Sequence, residues 1–323
     1  MHHFCTLFDS NYLVKGIAML ESLRAHCPDA QVSVLCMDDE TNAILTEMAL
    51  PGVSCIPLDT LEDDDLRRVK AQRSRAEYCW TLSPCLPSYI LDKHPEIDCI
   101  TYLDADLMFY SSVAPVFEEI GSASVAIIEH RFPDVWKHLE INGRYCVEWV
   151  SFRRDTQGMA CLARWREQCI EWCFHRLEDN RMGDQKYLDE WPQRYDSLCV
   201  IQTKGAGVAP WNYSRYRFTQ AADGTPLVDG EPLVFYHFHQ FQWLSNGEFD
   251  RLSGYYRSLG QEPEAVYARY EHVLTQTLAR VRRLRPGFRA GMKPVLRVKS
   301  QRLVQTLLPG PLKQLFKKVI KAV

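Results

Sequence analysis

Residues 4–37 read FCTLFDSNYLVKGIAMLESLRAHCPDAQVSVLCM, and this stretch decides the fold. Residues 4–8 and 31–37 are apolar runs typical of buried strands. Between them, residues 12–26 carry Ile17, Leu20 and Leu23 at helical spacing, and Pro28 ends the helix. A strand, a helix and a second strand in so short a span indicate a parallel α/β sheet.

The same alternation continues through most of the chain. Further strands are predicted at 54–57, 98–103, 125–129, 145–153, 197–202 and 233–241. Further helices are predicted at 40–50, at 66–89 with breaks at Pro84 and Pro87, at 158–177, at 184–191 and within 247–283. The fold class is therefore α/β with a mixed, mostly parallel sheet. We expect a main domain over 1–246, a helical extension over 247–283 and a basic tail over 284–323.

Composition excludes several classes of protein. The 323 residues are 46% hydrophobic and 24% charged, which is ordinary for a globular chain and unlike collagen, coiled-coil arrays or long disorder. The twelve cysteines form no CxxC pair and lie mostly in apolar runs, and the N-terminus has no signal-peptide pattern. Reduced core cysteines and a cytoplasmic location are therefore expected.

The net charge of −3 conceals a strong asymmetry. Residues 280–323 hold 13 of the 38 basic residues and no acidic residue, which leaves 25 basic against 41 acidic residues elsewhere. In the last part, Leu312, Leu315, Phe316, Val319, Ile320 and Val323 share one helical face and four lysines share the other. This pattern favours an interfacial helix on an anionic membrane, although a helix packed on the domain remains an alternative. Aromatic residues in this tail are too few to form a stacking platform for nucleic acid, so no nucleic-acid partner is expected.

Tyr102-Leu103-Asp104-Ala105-Asp106 is the strongest chemical signal. Two carboxylates directly after a buried strand lie where α/β sheets bind ligands, and divalent cations that bridge nucleotide phosphates prefer oxygen ligands. An N-cap with a solvated turn is the structural alternative for this pair.

Two further sequence patterns become informative when they are considered together with the carboxylates Asp104 and Asp106. His237 and His239 lie two residues apart in a predicted strand, so their side chains share one face. They are either metal ligands or histidines with ordinary hydrogen-bond partners. Gly183-Asp184-Gln185 begins a predicted helix, where Asp184 can be an N-cap or a functional carboxylate.

Five segments together resemble the retaining GT-A glycosyltransferases of the glycogenin and lipopolysaccharide galactosyltransferase type. They are Phe8-Asp9-Ser10-Asn11-Tyr12, Tyr102–Asp106, Gly183-Asp184-Gln185, Ala209-Pro210-Trp211-Asn212 and His237-Phe238-His239. The order and rough spacing of these segments agree with that family across residues 4–241. The resemblance implies a Rossmann-like GT-A fold and transfer of a sugar from a nucleotide diphosphate, UDP by preference, to a glycan or lipid-linked acceptor.

The resemblance also implies roles for individual residues. Phe8, Asp9, Asn11 and Ala105 would bind the donor nucleotide, and Asn212 would line the donor pocket. Asp104 and Asp106 would hold Mn²⁺ or Mg²⁺ with His237, or with His239, as a further ligand. Asp184 and Gln185 would lie beside the anomeric carbon of the donor sugar.

Three departures from the family pattern matter. The family's late histidine is followed by a phosphate-binding lysine, whereas this chain has no lysine there; Lys204 is a candidate replacement or an ordinary loop lysine. The family's arginine before the metal motif is matched by Arg73 or Arg75, which could equally form a charged helix face. Tyr145-Cys146-Val147-Glu148 replaces an acceptor-side Asn-Ala-Gly.

The sequence thus predicts a metal-dependent hexosyltransferase on the cytoplasmic face of a membrane, active in cell-surface polysaccharide synthesis. A metal-dependent nucleotidyl- or phosphotransferase and a non-catalytic nucleotide-sugar-binding membrane scaffold remain as alternatives.

Overall fold

A seven-stranded sheet forms the centre of the computed structural model, which describes residues 1–253 and 256–307. In chain order the strands are β1 (His2–Phe8), β2 (Ala30–Cys36), β3 (Val53–Pro57), β4 (Cys99–Leu103), β5 (Leu107–Phe109), β6 (Val125–Glu129), β7 (Tyr145–Arg153), β8 (Leu198–Ile201), β9 (Phe218–Gln220), β10 (Pro226–Val228), β11 (Glu231–Pro232), β12 (Phe235–His237), β13 (Gln242–Leu244), β14 (Phe249–Asp250) and β15 (Met292–Lys293). The α-helices are α1 (Leu13–His26), α2 (Asp39–Met48), α3 (Leu58–Leu61), α4 (Asp64–Lys70), α5 (Arg75–Lys93), α6 (Ala114–Ile120), α7 (Thr156–Glu171), α8 (Trp191–Arg194), α9 (Glu264–Leu284) and α10 (Val295–Leu307). Short 3-10 helices cover Asp134–Asn142, Gln185–Glu190, Tyr213–Arg215 and Tyr256–Leu259.

The strand order in the central sheet is β3-β2-β1-β4-β7-β6-β8. Strand β7 pairs antiparallel with β4 and β6, and every other pairing in this sheet is parallel. The prediction of a mixed, mostly parallel sheet is therefore confirmed.

The direction of strand addition reverses between β1 and β4. From β1 the chain adds β2 and β3 on one side, and it then returns to place β4 on the other side, with Cys5 opposite Tyr102. Helices on opposite faces leave a crevice at the carboxyl ends of two such strands. Asp9 follows β1 and Asp104 follows β4, so the fold brings both carboxylates to that crevice.

Helices cover both faces of the sheet and enclose two apolar cores. Helices α1, α2, α6 and α9 contribute to one core, and α4, α5 and α7 contribute to the other. Helix α9 belongs to the main core, since Tyr270 stacks on Phe238 with ring centroids 3.6 Å apart. The predicted boundary at 246/247 is therefore wrong: apolar residues on both sides of it share one core.

The predicted boundary at 283/284 does not divide the structure either. Strand β15 pairs with β13, so residues 292–293 belong to the same small sheet as residues 242–250. The predicted amphipathic helix over 312–323 lies outside the described residues. Among residues 1–253 and 256–307, no helix has the length and apolar character needed to cross a membrane.

Helix α5 continues through Pro84 and Pro87, where the sequence predicted breaks. A capping box at Ser74 and Glu77 fixes its first turn. Its middle is buried between β1, β4 and α7, and Leu82 and Leu86 are fully enclosed. Burial of this apolar face offsets the hydrogen bonds that the prolines cannot donate.

Two other elements are shorter than predicted. Helix α7 ends at Glu171, because Trp172 adopts an extended conformation. Strand β12 ends at His237, and His239 lies in the following turn, where Gln240 has a φ of 61°. Strand alternation therefore places His237 but not His239.

Candidate active site

A cavity of about 840 Å³ opens at the carboxyl ends of β1 and β4, a volume within the range of small-molecule sites. It brings together eleven of the residues singled out from the sequence: Phe8, Asp9, Asn11, Arg75, Asp104, Ala105, Asp106, Asp184, Gln185, His237 and His239. Lys204 and Asn212 are not among the lining residues. The cavity thus unites segments that are far apart in the sequence.

The acidic pair and one histidine lie close together, with Asp106 in hydrogen-bond contact with the imidazole. His237 Nε2 is 3.0 Å from Asp106 Oδ1 and 3.9 Å from Asp104 Oδ2. Antiparallel pairing of β12 with β5, with His237 opposite Leu107, produces this approach, and Phe238 N donates to the Asp106 carbonyl oxygen at 2.9 Å. Two carboxylates and an imidazole are ligand types that Mn²⁺ and Mg²⁺ accept, so the donor chemistry of Asp104, Asp106 and His237 suits such a cation.

Glu148 supports His237 from the opposite side. Its Oε2 lies 2.7 Å from His237 Nδ1, and the side chain is fully buried on β7. Because Nδ1 donates to this carboxylate, Nε2 is the imidazole atom that faces the acidic pair. The Cys146 thiol, two residues earlier on β7, lies close to both side chains. One potential ligand atom from each of Cys146, Glu148 and His237 lies within 4.8 Å of the other two.

The second carboxylate oxygen of Glu148, Oε1, is a buried hydrogen-bond acceptor. Glu148 Oε1 has no hydrogen-bond partner among residues 1–253 and 256–307. An unpaired buried carboxylate oxygen is costly, so positive charge nearby stabilises it. The imidazolium form of His237 supplies that charge in the absence of a cation.

Electrostatic coupling separates the pKa values of the two aspartates. Burial, with the negative charge of Asp106 and Glu148 nearby, raises the pKa of Asp104 to about 6. Burial also acts on Asp106, but His237 and Lys15 outweigh it and hold its pKa well below the usual range. Burial alone lowers the pKa of His237, whereas Asp106, Cys146 and Glu148 raise it well above its ordinary value. The lowered pKa of Asp106 and the raised pKa of His237 have a common cause, because each charged form stabilises the other.

The loop after β1 forms the second part of the cavity. Asp9 Oδ1 accepts hydrogen bonds from the backbone N–H groups of Asn11 and Tyr12, at 2.8 and 3.2 Å. Arg75, at the start of α5, forms an ion pair with Asp9 and another with Asp38. Arg73 instead donates to the carbonyl oxygens of Cys169 and Ile170, so Arg75 is the arginine of the cavity.

Asp184 and Gln185 also line the cavity. Asp184 is buried, and burial together with Asp104 raises its pKa to about 7. Gln185 Nε2 donates to the Asn142 carbonyl oxygen at 2.8 Å. That bond fixes the amide and leaves its oxygen for a ligand.

His239 lines the cavity without joining the acidic pair. Its Nδ1 contacts the Tyr256 hydroxyl at 2.7 Å, and no carboxylate oxygen of the described residues lies within 4.0 Å of its ring nitrogens. Burial and the neighbouring His237 lower the pKa of His239 to about 3. The indole of Trp211 meets both imidazoles edge-on. His237 is thus the histidine that meets the acidic pair, and His239 is a residue of the cavity wall.

Lys204 does not occupy the position predicted for it. Its Nζ pairs with Glu231 at 2.8 Å, and both side chains are half exposed outside the cavity. The ion pair satisfies this lysine in a surface loop, so the assignment of Lys204 to donor binding is wrong.

Asn212 is a structural residue rather than a wall of the pocket. It is fully buried, and Nδ2 donates to the carbonyl oxygens of His130 and Gly207, both at 2.8 Å. Its Oδ1 accepts from Ala209 N at 2.9 Å. These bonds hold the loop that carries Trp211 into the cavity, which corrects the predicted role of Asn212.

Replacement of Asn212 by alanine is expected to lower the free energy of unfolding by about 3 kcal/mol, because several buried polar groups lose their partners. Urea denaturation measures the change. Asn246→Ala, at an exposed position, is the control and should change stability by less than about 0.5 kcal/mol. Equal stabilities of the two variants would contradict the structural role.

Four important residues were not identified from the sequence: Lys15, Glu148, Trp211 and Lys293. Glu148 left a signal, since a carboxylate inside the apolar run YCVEWV needs a buried partner. Trp211 lay in a recognised segment but beside the residue chosen. Lys15, with Nζ 3.8 Å from Asp106 Oδ2, and Lys293, on the cavity wall, left no local signal.

Comparisons with known proteins agree with this architecture. The structure resembles that of an active-site mutant of LgtC, with a TM-score of 0.51 and 14% identity, over 81% of this chain and 98% of that one. A second LgtC structure, described as a galactosyltransferase with donor and acceptor sugar analogs, gives a TM-score of 0.48 and 16% identity over the same shares. The first of these likenesses and the sheet topology define a GT-A fold.

Two sequence relatives define the family more narrowly. YfnD of Bacillus subtilis (strain 168) is 31% identical over 310 residues, covering 94% of this chain and 98% of the relative. YfnF of the same organism is 30% identical over 294 residues, covering 88% and 95%. The chain belongs to the family of these two proteins, both of which are uncharacterised. No protein-family model matches it.

Proposed function

We propose that this protein is a divalent-metal-dependent glycosyltransferase that uses a nucleotide diphosphate sugar, UDP-linked by preference. One observation carries the proposal: His237 Nε2 lies 3.0 Å from Asp106 inside a cavity at the junction of β1 and β4. Asp9, Asn11, Asp184 and Gln185 line the same cavity. Its volume of about 840 Å³ is within the range of small-molecule sites.

The residues divide the reaction between them. Asp104, Asp106 and His237 would hold Mn²⁺ or Mg²⁺, which as a Lewis acid stabilises negative charge on a departing diphosphate. The bond from the anomeric carbon to the phosphate oxygen breaks, and UDP leaves with the electron pair. The acceptor hydroxyl oxygen then bonds to that carbon, and its proton passes to the departing diphosphate or to solvent.

Asp184 and Gln185 are placed to act on the sugar. The Gln185 amide oxygen and the Asp184 carboxyl can stabilise positive charge that develops at the anomeric carbon. The acceptor oxygen bonds to the anomeric carbon on the face from which the diphosphate departs, so the configuration at that carbon is retained. Retention rests on the family resemblance described above.

The acceptor is proposed to be a glycan or a lipid-linked saccharide used for cell-surface polysaccharide. The basic C-terminal segment would bring the enzyme to the cytoplasmic face of an anionic membrane, where such acceptors lie. Sedimentation with vesicles of anionic or neutral lipid tests this part, and equal binding to both vesicles would refute it.

Hydrolysis of UDP-sugars with Mn²⁺ is the test of the activity. We expect UDP release from one member of a panel of UDP-hexoses, and loss of that release on chelation with EDTA. Release of labelled pyrophosphate in place of UDP would favour nucleotidyl transfer. Tight UDP binding without turnover, with or without Mn²⁺, would favour a binding scaffold.

A further inference from the structure

Cys146 and Glu148 are two potential metal ligands beside His237. They lie two residues apart on β7, so strand alternation directs both side chains to one face. A Glu148 oxygen lies 2.7 Å from His237 Nδ1, and the Cys146 thiol is also a hydrogen-bond partner of the imidazole. Ligand atoms of the three side chains lie within 4.8 Å of one another, a separation that one cation can bridge.

This thiol cluster, Cys146, Glu148 and His237, differs from the acidic pair in its ligand types. Mn²⁺ and Mg²⁺ prefer oxygen ligands, whereas a thiolate, an imidazole and a carboxylate together are typical of Zn²⁺. Because Nε2 of His237 faces Asp106 at 3.0 Å, Nδ1 is the nitrogen available to a cation held by Glu148. One imidazole therefore lies between oxygen ligands on one side and a set that includes sulfur.

Glu148 gives the thiol cluster a buried negative charge that a cation would balance. The side chain is fully buried, and its Oε1 has no hydrogen-bond partner within the described part of the chain. Burial of a carboxylate with an unpaired oxygen is costly unless opposite charge is close. A divalent cation on Glu148 would supply more of that charge than the imidazole does.

Cys146 connects the thiol cluster to the cavity. Its side chain lines the cavity wall, which gives a cation a path of entry. Burial, with the negative charge of Glu148, raises the pKa of the Cys146 thiol to about 12, so the sulfur carries its proton until a cation binds. Binding forms bonds to Sγ, to a Glu148 oxygen and to His237 Nδ1, and the protons of Sγ and Nδ1 pass to solvent.

Asp106 is placed to support such a cation indirectly. With Nδ1 bound to a cation, Nε2 of His237 keeps its proton and donates it to Asp106 Oδ1, 3.0 Å away. A carboxylate that accepts from the other ring nitrogen is the usual support of a metal-bound histidine. Asp106 and Glu148 thus exchange roles between the two sides of the imidazole.

We propose that Cys146, Glu148 and His237 Nδ1 form a second cation site, which takes Zn²⁺ and excludes the catalytic cation while Zn²⁺ is bound. The exclusion rests on the proposed function, which places the catalytic cation on Nε2 of the same ring. To bind both cations, the ring would have to lose both protons and carry two divalent charges. Zn²⁺ is therefore an inhibitor whose action depends on the Cys146 thiol.

Co²⁺ is the spectroscopic probe of this site, because it accepts the ligands that bind Zn²⁺ and its bond to a thiolate absorbs in the near ultraviolet. On the reduced full chain, we expect Co²⁺ to produce this thiolate band and Zn²⁺ to abolish it. Cys146→Ser keeps the size of the side chain and should remove the band. It should also weaken Zn²⁺ binding about a hundredfold, the loss of one of three protein ligands, in competition with a chromophoric chelator.

Two control variants separate the thiol cluster from the rest of the cavity. Cys79 also lines the cavity but belongs to no group of three potential ligand side chains among the described residues, so Cys79→Ser should keep the cobalt band. Asp104→Asn alters the acidic pair alone, so it should weaken Mn²⁺ binding and keep the cobalt band. Thermal unfolding shows whether each variant is folded.

Electron paramagnetic resonance of Mn²⁺ measures the exclusion and requires no substitution for its first step. We expect stoichiometric Zn²⁺ to release Mn²⁺ from the wild-type protein. In Cys146→Ser, release should require a Zn²⁺ concentration about a hundredfold higher, in line with the weaker Zn²⁺ binding.

Each remaining outcome has a definite meaning. A wild-type protein that binds Mn²⁺ but gives no cobalt band would overturn this inference alone. Release of Mn²⁺ at the same Zn²⁺ concentration in wild type and Cys146→Ser would show competition at the acidic pair, which also overturns it. Mn²⁺ that stays bound beside Zn²⁺ would refute the exclusion. A band that depends on Cys146 in a protein that binds no Mn²⁺ would support the second site and overturn the metal dependence of the proposed function.

Discussion

Asp106→Asn is expected to lower UDP-sugar turnover about a thousandfold. Asp106 lies between His237 Nε2, at 3.0 Å, and Lys15 Nζ, at 3.8 Å, and these two groups hold its pKa below the usual range. The amide keeps the shape of the side chain but removes the negative charge that holds a cation. A loss of about 4 kcal/mol of charge stabilisation corresponds to that factor.

Steady-state kinetics with Mn²⁺ measures this effect, and thermal unfolding shows whether the variant is folded. Asp64→Asn is the matched control, because Asp64 is fully exposed on α4 and its ion pair among the described residues is with Arg67 on the same helix. It should retain wild-type turnover. A folded Asp106→Asn variant with undiminished metal-dependent turnover would remove Asp106 from the metal site.

Glu148→Ala is expected to weaken the binding of Mn²⁺ with UDP by about ten- to a hundredfold, the usual cost of losing a carboxylate that orients a metal-binding histidine. Glu148 does not line the cavity, so it acts through His237. Without its carboxylate, the imidazole can rotate or carry its proton on the nitrogen that faces Asp106. Glu148 is thus a positioning residue.

Titration of bound Mn²⁺ by electron paramagnetic resonance gives the affinity without relying on turnover. Glu148→Gln keeps an oxygen that can accept from Nδ1 and should lose less affinity than Glu148→Ala. Glu129→Ala, a carboxylate at the end of β6 that pairs with Arg144, is the control and should bind Mn²⁺ normally. Wild-type affinity in a folded Glu148→Ala variant would show that His237 needs no such support.

The elements that the sequence predicted well are those with strong local patterns. Strand β7 has the predicted bounds, and β1, β2 and β4 differ from prediction by one or two residues at their ends. Continuous apolar runs bounded by turn residues carry this information locally. The positions of Asp104 and Asp106 were predicted for the same reason, because the buried strand that precedes this carboxylate pair determines where it lies.

The errors arose where distant contacts outweigh local preference. Pro84 and Pro87 indicate helix breaks, but α5 continues through them and is buried against the sheet. The segment that contains Asn212 reaches the cavity, but the Asn212 amide is hydrogen-bonded to backbone groups of His130, Gly207 and Ala209. The deciding contacts of α5 lie on other elements, and one of the three partners of Asn212, the His130 carbonyl oxygen, is distant in the sequence.

The sequence by itself determined the α/β class, the position of the acidic pair and the set of segments that meet at the site. The first two follow from strand periodicity and from the rule that ligands bind at the carboxyl ends of strands in an α/β sheet, and the set of segments follows from the family resemblance. Only the tertiary structure decided that His237 and not His239 meets Asp106, that Glu148 supports it, and that Lys293 returns to the cavity wall. Side-chain pairing over such sequence distances depends on how strands β5, β7, β12 and β15 are placed in space, and no local pattern encodes that placement.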